Sequence, residues 1–275
     1  MNKHNLLLLL AALSPMTAHA TASWNFTTPG TVNYGSQGTF NSSAGTVTVS
    51  AFSTTGATGT GGNPQFASGT LGSWSGGIGV TSAEDGTFYN SPNHAFDNDG
   101  NSVDEKPAGD VDAAVFSFNQ SINLDSISIG WYSGDADISV LAYTGNSGNM
   151  ANPEDITGKT FTDLLANGWE FIGNYMNLYN MPDGTADINP TDVSSSYWLV
   201  SAYTSCANNS CNPYDGYFGN DYFKIDNIGG TTTGGGGGSN TGSVPEPSSL
   251  LLLAAGLLGW RLHRYAKAQQ ANLAA

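Results

Sequence analysis

The densest set of metal-binding residue types in the chain is Asp97, Asp99, Asn101, Asp104 and Glu105, with Asp110 and Asp112 just beyond. Carboxylates and amide carbonyls are hard oxygen donors, and calcium takes about six to eight of them. The Asp-x-Asp-Gly-Asn opening also supplies a glycine for a sharp turn, so the stretch is a candidate calcium loop. It is not an EF-hand: the spacing from Asp97 to Glu105 is wrong, and no helices are expected on either side. The competing reading is a run of Asx-turns in solvated loops. Asp135 and Asp137 lie between two expected strands and would add oxygens if the loops meet. A bound cation would offset the mutual repulsion of these charges.

Other chemistry has less to work with. Once both ends are set aside, His94 is the one histidine left. A zinc site, which needs three or four nitrogen, sulfur or carboxylate ligands, is not expected. Ser91, Ser102 and Asp97 are near enough in sequence for a Ser–His–Asp arrangement, but no Gly-x-Ser-x-Gly elbow accompanies them. A histidine that orders its own loop is the simpler reading. Glycoside hydrolysis needs two carboxyls about 5 to 9 Å apart. With so many acids some pair meets that by accident, and Glu170, the best placed beside Glu84 and Asp85, alternates with Trp169 and Phe171 like an outward strand residue. No enzymatic activity is expected. Trp74, Phe88, Tyr89, Trp131, Tyr132, Tyr214, Tyr217 and Phe218 sit in or near loops rich in Asn, Asp and Gly. Such rings could stack on sugars, although core or loop packing is the simpler reading for Trp131 and several others.

The elements that must carry these residues are mostly strands. Apolar and β-branched runs recur at residues 46–52, 113–118, 122–131, 138–143, 169–172, 197–203 and 222–228, and Ile127-Ser-Ile-Gly-Trp131 alternates at every second position. Gly, Asn, Asp, Ser and Pro punctuate the gaps. Residues 160–167 alone read as a short helix, with Thr160 or Thr162 as N-cap and Gly168 as its stop. The pattern predicts a mainly β chain with one two-sheet β-sandwich over 21–229, jelly-roll-like in arrangement. Residues 54–79, rich in small residues, are expected to form a surface loop anchored by Phe66, Leu71 and Trp74. Residues 230–243, with five consecutive glycines, read as a flexible linker.

Both ends look like addresses. Lys3 and His4 precede an apolar run over 6–13, and Ala18-His19-Ala20 is a small-x-small cleavage site, so residues 1–20 read as a secretory signal peptide. Between residues 21 and 244 only Lys106, Lys159 and Lys224 oppose 21 carboxylates. That surface repels nucleic acid and anionic lipid, and nucleic acid is excluded as a partner. The two cysteines, Cys206 and Cys211, are expected to form a disulfide in an oxidising compartment. At the other end Val244, Pro245, Glu246 and Pro247 precede an apolar run, 250–260, then Arg261, Arg264 and Lys267, with 268–275 as a tail. A helix over 250–262 would be about 20 Å long. That is short against a bilayer core of about 30 Å. The basic residues favour a cytoplasmic C-terminus.

The order Pro-Glu-Pro, apolar helix, basic cluster over 244–267 resembles the PEP-CTERM sorting signal. The resemblance implies export, a transient inner-membrane intermediate, cleavage by an exosortase at the motif, and release or attachment at the cell surface or in the extracellular matrix. Residues 268–275 run further past the basic cluster than such tails usually do. Tails of this type are also named after the C-terminal part of ice-binding proteins. Residues 92–100, 113–118, 124–145 and 221–228 are similar to segments of exosortase-dependent surface proteins, for which no catalytic activity is implied. The expected role is structural or adhesive, in exopolysaccharide or biofilm. A calcium-assisted carbohydrate-binding module is the alternative and ice binding a third.

Overall fold

The computed structural model describes residues 21–54, 64–83, 85, 94–98, 111–210 and 221–232. Contacts divide the chain into Ala20–Thr233 and a second unit of Met1–His19 with Gly234–Ala275, and the described residues all belong to the first. Its early strands are β1 (Thr21–Asn25), β2 (Val32–Gly35), β3 (Gln37–Ser42), β4 (Gly45–Thr54), β5 (Phe66–Ser68), β6 (Thr70–Trp74) and β7 (Gly77–Thr81). The later ones are β8 (Phe96–Asp97), β9 (Asp112–Tyr132), β10 (Ile138–Tyr143), β11 (Trp169–Tyr175), β12 (Thr185–Asp187), β13 (Ser194–Ala202) and β14 (Tyr222–Thr232). The chain is mainly β, as its alternation predicts. All ladders are antiparallel and join into one 14-stranded sheet, whose main path runs β11-β10-β13-β9-β14-β7-β6-β2.

The expected pair of separate sheets in a jelly roll is not shown, and β9 is the reason. Residues 113–118 and 122–131 read as two strands, yet they form one strand of 21 residues. Its first part pairs with β4, from Val47↔Phe118 to Ser53↔Asp112, and its second part with β14, from Ile122↔Thr232 to Tyr132↔Phe223. On the other edge β13 spans both parts, with a register shift between Ser195 and Tyr197. A bulge therefore stands where the sequence suggests a turn, and it lets one strand serve both regions without breaking. β14 runs to Thr232, so Gly230 and Thr231, expected in the linker, pair with Leu124 and Asn123.

Aromatic side chains from both regions meet in the core. The Trp24 ring of β1 lies edge-on to Phe118 at 4.9 Å, and Phe26 meets Phe116 at 5.8 Å. Trp24, Phe26, Phe116, Trp169 and Trp198 are all fully buried. The lone helix, α1 (Phe161–Ala166), begins at a capping box in which Thr160 and Asp163 satisfy each other's backbone N–H groups. Gly168 follows at φ +103°, a left-handed value suited to glycine. Phe161 packs edge-on against Phe66 at 4.9 Å.

Residues 66–81 form β5, β6 and β7 rather than the expected surface loop. Small residues here mark close backbone approach, not exposure. A Cβ on Gly79 would stand 2.2 Å from the His94 carbonyl oxygen, and one on Gly77 2.1 Å from that of Ile225. No helix among the described residues is long and apolar enough to cross a membrane.

Candidate functional site

β8 is two residues long, yet it organises most of the buried charge. Phe96 pairs with Phe223 of β14 and stacks on its ring at 5.3 Å with planes 7° apart. That fixes the two residues that follow. Asp97, opposite Tyr222, joins Asp85 and Asp112 in a group whose carboxylate oxygens lie within 4.8 Å of one another. All three are buried, Asp97 and Asp112 completely. Asp85 is oriented by Ser82, whose backbone N–H donates to its carboxylate at 2.6 Å. Asp112 enters from the first position of β9, opposite Ser53.

Asn98 turns the other way and holds a second group made of Asp135, Asp137 and Asp221. Its Nδ2 donates to the Asp221 carboxylate at 2.6 Å and to the Tyr203 carbonyl at 3.2 Å, while its Oδ1 accepts from the Asp221 N–H at 3.1 Å. The Asp137 N–H donates to the other Asp221 oxygen at 2.9 Å, and the Asn177 N–H donates to Asp137 at 2.6 Å. Bridges Ser133↔Asp135 and Asp135↔Asp221 tie the loop after β9 to the head of β14. Burial, followed by the nearby charges of Asp137 and Asp135, pushes the Asp221 carboxyl up to about 8 against these hydrogen bonds. Burial also raises Asp137, despite the bond from Asn177.

The acidic residues seen in the sequence therefore divide. Asp97 and Asp112 come together, and Asp135 and Asp137 fall in the other group. Asp99, Asn101, Asp104, Glu105 and Asp110 lie outside the described residues. Sequence reasoning missed Asn98 and Asp221. The available signal was an acid at the head of the apolar run 222–228, a position that a strand end places against whatever its neighbours present. Both groups offer oxygen donors alone, which suits a hard cation such as calcium better than zinc.

The remaining candidates have structural surroundings. His94 lies 4.5 Å from the Trp74 ring and 6.5 Å from that of Trp131; Ser91 and Ser102 lie outside the described residues. Lys224 is buried between the same two tryptophans, its Nζ 3.9 Å from the Trp131 ring and 5.1 Å from the Trp74 ring. Burial pulls its ammonium down to about 8, while the ring faces favour the charge. Tyr132 is exposed and stacks on Tyr179 at 5.0 Å. Phe88, Tyr89, Tyr214, Tyr217 and Phe218 lie outside the described residues. So does Cys211, the expected partner of Cys206, which is itself buried in a 3-10 turn, Ser205–Asn208.

Residues 243–264 match the family profile of the PEP-CTERM protein-sorting motif. The match contains Val244, Pro245, Glu246 and Pro247, which lie outside the described residues. It implies an exported, membrane- or surface-associated protein that an exosortase sorts and processes. No curated protein and no solved structure gives a significant match to the chain.

Proposed function

We propose that the chain is a structural or adhesive protein of the bacterial cell surface or extracellular matrix, cut at Val244–Pro247 and acting without an active site in exopolysaccharide or biofilm. The sorting motif at residues 243–264 carries this reading. The signal-peptide pattern at 1–20 supports the same route, with a passing inner-membrane stage through the apolar tail. In this reading the 14-stranded sheet folds over into a sandwich whose halves share β9. Expression of the tagged full chain with and without an exosortase tests it. The expected result is a shortened chain in the surface or medium fraction with the enzyme, and the full-length chain in the membrane fraction without it. Full-length chain in the same fraction in both hosts would overturn the reading.

A second reading, calcium-assisted carbohydrate binding, is favoured by the convergence of Asp85, Asp97 and Asp112 and of Asp135, Asp137 and Asp221. Carboxylates gathered out of water stay ionised only with compensation, and calcium would supply it. A rise in melting temperature with calcium over chelator, lost in Asp97→Ala, is the expected result; equal melting in both removes the reading. Ice binding, the third reading, needs a flat and regular threonine array. Thr39 and Thr48 face each other at 3.4 Å, but their row continues through Ser117 and Tyr197. Absence of thermal hysteresis would dispose of it.

A further inference from the structure

Part of one sheet face is dressed in hydroxyls. Register places Thr39 of β3 opposite Thr48 of β4, Thr48 opposite Ser117 of β9, and Ser117 opposite Tyr197 of β13. Four neighbouring strands thus present one row, about 14 Å long at roughly 4.8 Å per strand. Thr39 is exposed and the other three are half-buried. Two positions along the same strands, and by alternation on the same face, Val115 and Leu199 are completely buried. The apolar part of the face is covered, and the hydroxyl-bearing part is left open.

The row ends in a cleft of about 630 Å³ lined by Ser121, Tyr143, Asn146, Glu170 and Ser194–Tyr197 among others. The bulge makes it: β13 advances from Ser195 to Tyr197 while β9 advances from Ile122 to Ser117, so the two strands part there. Tyr143 and Tyr197 meet edge-on at 6.1 Å. The Tyr143 hydroxyl accepts from the Met150 N–H at 3.0 Å and donates to Asn149 at 3.0 Å, which locks its ring as a wall. Among the described residues that line the cleft, Glu170 is the one charged side chain.

We propose that this shelf and cleft bind a neutral polysaccharide, with the Tyr197 ring as its stacking platform. The inference rests on the adhesive reading above and gives that adhesion a place and a ligand class. Serine and threonine hydroxyls and the Asn146 amide both donate and accept, matching sugar hydroxyls. The rings give apolar faces for the C–H sides of a pyranose. A formal charge of −15, with Glu170 the one charged residue among the described lining of the cleft, repels acidic polymers.

The test is affinity electrophoresis of the full chain in a zwitterionic, sugar-free detergent, through gels holding an α-glucan, a β-glucan, a galactomannan or alginate. Retardation by at least one neutral polymer and not by alginate is expected. Tyr197→Ala should weaken the association about tenfold, the loss of roughly one good contact, in a variant that still unfolds cooperatively although at a lower melting temperature. Thr48→Arg, which puts a long side chain across the half-buried middle of the row, should do the same. Binding that persists in both variants overturns the shelf and leaves the adhesive reading standing elsewhere on the molecule. No retardation by any neutral polymer, or equal retardation by alginate, overturns the proposal, while the fractionation of the processed chain separately decides the surface reading.

Discussion

The Asp221→Asn variant isolates the electrostatics of the Asp135, Asp137 and Asp221 group. Asp221 is 2% exposed, and its carboxyl is raised from 3.8 to about 8. Between those values the folded chain holds a proton that the unfolded chain has released. Stability from this group is therefore fully present below about 3.8 and is lost as pH rises through about 8. One such proton gives a slope of at most about 1.4 kcal/mol per pH unit, or about 4 kcal/mol between pH 5 and 8. Relaxation and partial hydration reduce that ceiling, and about 2 kcal/mol is the expected loss, roughly 4–8 °C of melting temperature for a unit of this size. The asparagine has one acceptor oxygen for the two donors, Asn98 Nδ2 and the Asp137 N–H, that the carboxylate serves, so one bond is lost at a pH-independent cost of about 1 kcal/mol. The slope is therefore the readout, not the absolute stability. Melting in chelator at pH 5, 6.5 and 8 should show the wild type falling and the variant falling less steeply. Calcium binds only the ionised carboxylates, so a bound ion would flatten the wild-type fall as well. A wild-type stability that is level or rising from pH 5 to 8 in chelator, with the same slope in the variant, would refute the account.

Lys224 works with the opposite sign. Its ammonium is depressed from 10.5 to about 8, so stability should rise with pH across that window, and Lys224→Met should abolish the rise in pH-dependent melting. Gly77 sits at φ +107° with the Ile225 carbonyl where a Cβ would go, and Gly77→Ala should cost more than about 3 kcal/mol in denaturant unfolding, whereas a cost below about 1 kcal/mol would show that β7 can shift away from β14. Replacing Pro245, Glu246 and Pro247 with alanines should leave the chain uncut, seen as a retained C-terminal tag in the membrane fraction of a host with the exosortase; normal cutting would place recognition elsewhere in residues 243–264.

Strands whose apolar residues alternate were legible in the sequence. Ile138–Tyr143 stands as predicted, and the helix Phe161–Ala166 is capped by Thr160 and followed by Gly168 at positive φ, because capping and turn chemistry is local. The strands at 66–81 were not, because their signal is the absence of side chains. Glycines that admit a neighbouring backbone look the same in sequence as glycines that loosen a loop, and only the positions of Ile225 and His94 tell them apart.

The candidate sites divide along the same line. The acids of 97–112 are close in sequence, yet the structure joins Asp97 to Asp85 and Asp112 and turns Asn98 toward Asp221, 123 residues from Asn98. Asp221 stands alone in the sequence, and its raised carboxyl comes from burial and from Asp135 and Asp137, which reach it through pairing that no local window contains. The hydroxyl row is harder still to see. Thr39, Thr48, Ser117 and Tyr197 are ordinary strand residues, and only the register of three ladders puts them side by side. A one-residue slip of β13 would turn Tyr197 to the opposite face and bring Trp198 out of the core. Full burial of Trp198 and partial exposure of Tyr197 therefore hold each other in place, so the register that builds the core also sets the row.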